Sequence, residues 1–339
     1  MFSLGPFKVK QPFLLAPMAG ITNSPFRRLM KRQGSALVIS ELISANGIQY
    51  GNEKTKELLS FHEDERPLGI QLFGESRDSL VSAAKHVESL GADFVDLNLG
   101  CPVPKVVKKG GGSAMCRNLP LLADVLSSMK RAISIPLTIK IRTGWDLQSI
   151  NAHEVVQVAY DSGVSWVAIH GRTRSQQYTG QADWNLIAEV KAKSKLPIIG
   201  NGDILSAKQA LEAYRQYGVD AVMIGRAALR NPLIFRQLEA LMERRDGDEV
   251  LGESFFELLR EQKMLLEESA SSHVALIQSK KFLSWYASGH SSCHDFRKEI
   301  FQMKGFEEVW DKGLKFFSLK ANEGSSATWE EGFLMGGHG

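Results

Sequence analysis

From residue 13 to about residue 238, a short apolar run, a loop and an amphipathic stretch follow one another eight times. No other feature of the chain restricts its fold so strongly. The runs cover residues 13–16, 36–39, 68–72, 94–98, 137–141, 166–169, 197–200 and 221–224. Most are continuously apolar rather than alternating, as expected of parallel strands covered on both faces. Helical patterns at 78–90, 119–132, 152–162 and 206–217 separate several of them. Eight strand–helix units over this length predict an α/β protein with a (β/α)8 TIM barrel. A doubly wound sheet is the alternative, but its GxGxxG fingerprint is missing after the first run.

The barrel is assigned to residues 1–243. Around 244–252 the composition turns charged and Gly-containing, which predicts a linker. Residues 254–269, 273–287, 293–304 and 307–320 then read as helices with no strand between them, a small helical domain over 253–321. Residues 322–339 are rich in Gly and Ser and are expected to fray. The 339 residues are 43% hydrophobic and 23% charged, an ordinary globular mix. Three cysteines make no disulfide framework, which suggests a reducing, cytoplasmic setting. The first ten residues lack the apolar core of a signal peptide, and no run approaches the ~18 apolar residues of a membrane span. Residues 246–339 hold 10 Lys and Arg against 16 Asp and Glu, formally −6. Residues 1–245 hold the other 31 and 22, formally +9. An anionic partner would mainly meet the first part.

In such a barrel the active site lies at the C-terminal ends of the strands, and those ends carry unusual residues. The first run ends in Ala16-Pro17-Met18-Ala19-Gly20, the second at Ser40-Glu41 and the third at Gln71. The fourth gives Asn98-Leu99-Gly100-Cys101-Pro102, where Gly100 frees the backbone and Pro102 prevents a helix from starting. Cys101 is thereby held on a turn at a strand's end, ahead of a basic, Gly-rich loop carrying Lys105, Lys108 and Lys109. A lone Cys-Pro would read as a buried thiol beside an ordinary turn; the company it keeps here points to a site. The fifth run ends in Lys140-Ile141-Arg142-Thr143-Gly144-Trp145 and the sixth in His170-Gly171-Arg172-Thr173-Arg174. The seventh gives Asn201-Gly202-Asp203 and the eighth Gly225-Arg226.

Backbone N–H groups around Gly202 and Gly225-Arg226, near a helix N-terminus, suit a phosphate, and Arg226 adds a fork of donors. Asp203 suits hydroxyl donors instead. Lys140 is a cation that would stabilise a reduced, anionic flavin, or else it pairs with a rim acid such as Glu41. Gln71 offers a donor and an acceptor to a flavin edge. His170 reads as a site residue or as a core histidine held by a carbonyl. Arg27, Arg28, Lys31 and Arg32 form a basic patch on a helix, read most simply as a solvated face.

With these residues in place, the chain resembles the tRNA-dihydrouridine synthase family, its bacterial B-type branch above all. The motifs LAPMAGITNSPFR, QLFG, DLNLGCPVPKVVKKGGGSAM, TIKIRTGW, IHGRTRSQQYTGQADW, IIGNGDI and MIGRAALRNPLIF carry the resemblance over residues 14–235. In the tail the family often shows an Arg-Lys-His-x-x-Trp-Tyr-like stretch. Here the stretch around Lys280 and Lys281 keeps Trp285-Tyr286 and replaces the Arg and the His; the resemblance implies that the helical domain binds tRNA, and Lys280, Lys281, Arg297 and Lys298 are its expected contacts.

The resemblance implies an FMN enzyme that reduces the C5–C6 bond of uridine in tRNA with NADPH as electron donor. Hydride would pass from flavin N5 to C6, and Cys101 would protonate C5. An ordinary thiol, titrating near ~8.5, is mostly protonated at neutral pH. The resemblance implies a cofactor set of Pro17, Met18, Ala19, Gln71, Lys140, His170, Asn201, Gly202, Asp203, Gly225 and Arg226. Asn98, Arg142 and also His170 can hydrogen-bond a uracil flipped out of the RNA. Arg172 and Arg174 are placed for phosphate, either the flavin's or the RNA's. No metal and no obligate protein partner are expected, and the chain is expected to be a monomer. Two other readings compete. A flavin barrel acting on a free pyrimidine or small enone would need neither the helical tail nor the basic loop. A non-catalytic RNA-binding protein would not need Cys101, Lys140 and Gln71.

Overall fold

The computed structural model describes residues 1–51, 53–247, 253–269 and 271–320. Eight parallel strands form one sheet: β3 (Phe13–Leu15), β4 (Val38–Ser44), β5 (Leu68–Phe73), β6 (Phe94–Leu99), β7 (Leu137–Arg142), β8 (Val167–His170), β9 (Ile198–Asn201) and β10 (Ala221–Ile224). Neighbours in sequence are neighbours in the sheet, and β10 pairs back with β3 in register Val222 to Phe13. The remaining gap is bridged where Ala36 N donates to Phe13 O at 2.8 Å and Leu15 N to Ser35 Oγ at 3.0 Å. All eight apolar runs are thus strands of a TIM barrel with helices outside it. Because every strand runs the same way, all eight C-terminal ends reach one rim.

Alternation along the strands builds two cores. Phe13 and Leu15 point outward into the layer shared with the helices, while Leu14 and Ala16 point into the barrel with Phe94, Ala168, Ile199 and Met223. The bottom of the barrel is closed by an element that sequence periodicity missed, a hairpin of β1 (Phe2–Leu4) and β2 (Phe7–Val9). Its Phe7 ring stands 5.8 Å from Phe94 and 6.1 Å from Trp166, which are themselves 5.1 Å apart. Gly69 makes room for this layer, since a Cβ there would lie 2.1 Å from the Phe94 ring. Three-residue strands around a Gly-Pro turn carry too little pattern to be read as a hairpin.

The helices Glu253–Ser269, Ser272–Tyr286, Cys293–Gln302 and Phe306–Lys320 follow the barrel. Phe26 of the first barrel helix, Ser24–Arg32, stacks on Phe282 of the tail at 4.9 Å. Inside the tail, Tyr286 Oη donates to Gln262 Oε1 at 2.9 Å and Trp310 Nε1 to Ser279 Oγ at 2.9 Å. The expected frayed segment 322–339 and residues 248–252 of the expected linker lie outside the described residues. No helix among the described residues is long and apolar enough to cross a membrane.

The patch Arg27, Arg28, Lys31 and Arg32 is no solvated face. Arg27 is buried against Glu65, and Arg28 pairs with Asp64 at 2.8 Å and with Glu268 at 3.2 Å. Arg32 bridges Asp64 and Glu261, each at 2.7 Å, and Lys31 Nζ donates to the carbonyls of Ser35 and Ala36. Glu261 and Glu268 belong to the tail's first helix, so this patch is a seam joining tail to barrel.

Candidate active site

The end of β6 hangs on a line of buried hydrogen bonds. Asn98 Oδ1 accepts from Cys101 N at 2.8 Å and from Gly100 N at 3.2 Å, which bends the chain back over the strand end. Asn98 Nδ2 donates to Gln71 Oε1 at 2.9 Å, and Gln71 Nε2 donates to Asp96 Oδ2 at 2.7 Å. Asp96 Oδ1 accepts from Thr138 Oγ1 at 2.6 Å. Asn98 and Gln71 therefore hold each other, where sequence reasoning assigned them to uracil and to flavin separately. Each amide nitrogen retains a second N–H. Asp96, which sequence reasoning passed over, is 1% exposed; burial pushes its carboxyl up, against the pull of Gln71, Thr138 and Lys140.

Cys101 sits buried on this turn. Burial raises its thiol pKa, with a backbone hydrogen bond from Val103 and the charge of Arg142 opposing. The thiol is thus kept protonated at neutral pH. Ser113 Oγ donates to Cys101 O at 3.0 Å and fixes the turn from the far side.

Arg142 is a buried staple. Nε donates to Gly100 O at 3.1 Å, and Nη1 donates to Thr173 O at 2.9 Å and Gln177 O at 2.7 Å. It thereby joins the Cys101 turn to the loop after β8. Burial lowers its pKa to about 10, with the charge of Arg172 adding to this and Tyr178 and Cys101 opposing.

Arg172 does not project from its loop. It is 1% exposed and grips Asp203 with both terminal nitrogens, at 2.7 and 2.8 Å. Thr179 O and Gly180 O accept from Nε and Nη2 at 3.1 and 2.6 Å. It cannot reach an RNA phosphate from there. Nη1 also lies 3.4 Å from His170 Nε2. Arginine can only donate, so this contact suits a neutral ring whose Nε2 accepts. Burial, followed by the charges of Lys140, Arg142, Arg172 and Arg226, holds His170 well below the ordinary histidine range, so it is neutral. Arg174 lies instead against the Trp145 ring, its guanidinium carbon 4.6 Å from the centroid.

Beside these residues a cavity of about 120 Å³ opens on the rim, lined by Pro17, Met18, Lys140, His170, Asn201, Gly202, Asp203, Gly225 and Arg226 among the expected residues. Ala19, Gln71, Asn98, Cys101, Arg142, Arg172 and Arg174 are not part of that lining. Strand register connects the two groups: Asn98 is aligned with Lys140, Arg142 with His170, and His170 with Asn201. Lys140 has its pKa lowered to about 8, mainly by burial and next by Arg142, with Asp96 opposing. Glu41, its candidate partner, instead accepts from Gly20 N. Asn201 Nδ2 donates to Met223 O at 2.8 Å.

The cavity suits a flavin phosphate by its cations and by one glycine. A Cβ on Gly225 would meet nothing nearer than Ala16 Cβ at 3.7 Å, so it would fill the cavity rather than clash. Gly202, by contrast, is packed: a Cβ there would lie 2.6 Å from Ala182 Cβ. The helix after Arg226, Ala227–Arg230, is a single turn, so the main contribution is the Arg226 side chain rather than a long helix dipole. Tyr178, missed in the sequence, also lines the cavity, with Arg226 5.0 Å and Arg142 5.7 Å from its ring centroid. Nothing in a Gln-Gln-Tyr loop signals that position. Among the described residues no group of three or more His, Cys, Asp or Glu could hold a metal ion.

A family model described as dihydrouridine synthase (Dus) matches residues 14–321. The chain is 34% identical over 328 residues to tRNA-dihydrouridine synthase B of Pseudomonas aeruginosa, covering 95% of this chain and 97% of that one. It is 37% identical over 303 residues to the protein of the same name from Xanthomonas campestris pv. campestris, covering 88% and 90%. Among solved structures, a 2-naphthoyl-CoA reductase complex is similar with a TM-score of 0.55 at 14% identity, over 72% of this chain and 52% of that one. Histamine dehydrogenase from Rhizobium sp. 4-9 gives 0.55 at 12% identity, over 96% and 64%. At such identities these two speak for the barrel fold alone.

Proposed function

The chain belongs to the dihydrouridine synthase family, and from that premise we propose that it reduces uridine to 5,6-dihydrouridine in tRNA, with FMN as cofactor and NADPH as electron donor. The observation that carries this reading is the protonated Cys101 turn, tied through Asn98 to Gln71 and aligned by strand register with the cationic cavity. FMN, when bound, supplies the hydride for C6 of the uracil.

The chain's own residues do the rest. Lys140 and Arg226 bring positive charge to the flavin and its phosphate, with Pro17, Met18, Asn201 and Gly202 shaping the wall, Gly225 keeping it open and Ala19 following in the loop beside it. Gln71 belongs to the same set. Asp203, gripped by Arg172, presents its remaining lone pairs to ribityl hydroxyls. His170, neutral, offers a ring N–H without adding a further charge. Asn98 meets the uracil edge with its second N–H, while Arg142 holds the turn that carries Cys101. The Cys101 thiol gives its proton to C5. Burial is what keeps that proton on sulfur until the base arrives, and a positioned acid of this kind contributes ~10²–10⁴ in rate.

Two measurements test the proposal. Purified protein reconstituted with FMN should show bound-flavin absorbance that NADPH bleaches. Cys101→Ala should retain the flavin and lose ~10²–10⁴ of dihydrouridine formation, scored by mass spectrometry of tRNA. Wild-type dihydrouridine formation by that variant would remove Cys101 from the acid role, and a chain that takes up no FMN would remove the flavin.

A further inference from the structure

Trp145 lies between two arginines. Arg117, at the end of the turn Gly112–Arg117, has its guanidinium carbon 4.5 Å from the indole centroid, and Arg174, in the loop after β8, has its own at 4.6 Å. Two like charges on one ring are an odd arrangement for a chain with acids available. Elsewhere, Arg66 lies over Phe61, but Glu63 and Asp93 neutralise it. Among the described residues neither Arg117 nor Arg174 has a carboxylate within ion-pair distance. Arg174 Nε is buried with no hydrogen-bond partner, so the polar complement of this cluster is not met within the chain. Arg117 is exposed and Trp145 half-buried, which leaves the cluster open to solvent on one side.

The cluster hangs on the backbone that carries the active site. Arg174 N donates to Gly144 O and Ser175 N to Trp145 O, both at 2.9 Å. Arg142 then links Thr173, in the same loop, to Gly100 beside Cys101. We propose that Arg117, Trp145 and Arg174 form a docking subsite for a phosphate of the RNA backbone, next to the nucleotide whose base enters the cavity. The indole face attracts both guanidinium groups and holds them apart. Each guanidinium is a planar fork whose donors match the oxygens of a phosphodiester. The formal +9 of residues 1–245, which supply all three side chains, favours an anionic partner.

This inference rests on the tRNA reading, and its test is a binding measurement that needs no turnover. FMN-loaded full-length protein is titrated with unmodified tRNA over a range of salt. Arg117→Gln should weaken binding about fivefold near physiological salt and flatten the log–log salt slope by about one unit. Arg117→Gln with Arg174→Gln should flatten it by about two units. Trp145→Leu keeps both charges, so affinity should fall while the slope stays near wild type. In turnover the double variant should raise KM for tRNA with kcat retained.

Wild-type affinity and slope in a folded double variant would overturn the proposal. So would a loss of affinity with no change of slope in that variant, which would mean a base contact instead of a phosphate. A wild-type protein that binds tRNA but forms no dihydrouridine would overturn the proposed reaction and leave the subsite measurable.

Discussion

The chain carries two dense groups of basic side chains, and the structure treats them in opposite ways. On the helix Ser24–Arg32, Arg27, Arg28 and Arg32 meet Glu65, Asp64, Glu261 and Glu268, while Lys31 caps backbone carbonyls. On the rim, Lys140 and Arg226 line a cavity, Arg142 and Arg226 lie over the Tyr178 ring, and Arg117 and Arg174 lie over the Trp145 ring. Among the described residues, Asp96 is buried and shared with Gln71 and Thr138, and Asp203 is gripped by Arg172 and stands 3.9 Å from Arg226. In the helix the positive charge is balanced by the fold. On the rim, burial first and the neighbouring cations second lower Lys140 to about 8 and keep His170 neutral. A cationic run in a sequence therefore says nothing about ligands until its acids are located.

The largest effect expected on the balanced side is at its most buried pair. Arg27 and Glu65 are 2% and 0% exposed, and Arg27 also donates to Thr22 O and Ser60 O. Arg27→Ala leaves a buried carboxylate unpaired, which costs about 3–5 kcal/mol. The denaturant midpoint should drop accordingly, while the salt slope of tRNA binding stays at its wild-type value. A flattened slope in Arg27→Ala would mean that the helix Ser24–Arg32 contacts RNA and that its charge is not spent within the fold.

The effect on the unbalanced side has the opposite sign. Lys140 carries a folded pKa of about 8 against an ordinary 10.5, because burial disfavours its charge. Below pH 8 it is charged in both the folded and unfolded states, and the folded state bears the desolvation cost. Between 8 and 10.5 the folded protein has released the proton that the unfolded chain still holds, so Lys140's contribution to stability rises with pH. In FMN-free protein, Lys140→Met should therefore be more stable than wild type at pH 7, and the gain should shrink by about pH 9.5. At pH 7 the same variant should bind FMN more weakly. Thermal melts at the two pH values and an FMN titration check both. A variant less stable than wild type at pH 7 would mean that Asp96 balances Lys140 after all.

How much of this was legible beforehand depends on the range of the interactions. Parallel strands buried on both faces give unbroken apolar runs, so all eight strands could be read, and residues at their C-terminal ends had to share a rim. That logic brought Lys140, His170, Asn201 and Arg226 together from separate stretches. It could not say who pairs with whom. Arg172 and Asp203 are 31 positions apart, and nothing local marks Arg172 as buried rather than reaching for phosphate. Arg142 bonds three backbone carbonyls, acceptors that every residue supplies and that leave no sequence trace. Asn98 and Gln71 were recognised as polar rim residues, but their mutual hydrogen bond follows from the spacing of β5 and β6. Trp145 read as the end of a motif, since its meaning depends on Arg117 and Arg174 arriving from two other loops.

The smallest effect should come from the tail. Lys280, Lys281, Arg297 and Lys298 are its candidate RNA contacts by sequence. In the structure Lys280 Nζ donates to the carbonyls of Phe301 and Met303, and Arg297 donates to Ser284 O at 3.2 Å and Ser288 Oγ at 2.8 Å. Those two help hold the tail's helices together, much as the helix Ser24–Arg32 uses its arginines. Trp285 packs edge-on against Phe282 at 5.3 Å and Tyr286 is buried, so neither is free to stack on a base. Lys281 and Lys298 remain, set in a region of formal charge −6. At physiological salt the field of more distant charges is screened beyond roughly 8 Å, so these two lysines act at most locally. Lys281→Ala with Lys298→Ala should leave stability within about 0.5 kcal/mol of wild type. It should also flatten the salt slope of tRNA binding by less than the Arg117→Gln, Arg174→Gln pair does. Equal or greater flattening from the tail pair would place the main phosphate contacts on the helical tail, and net charge would then be a poor guide to which of the two regions receives the RNA.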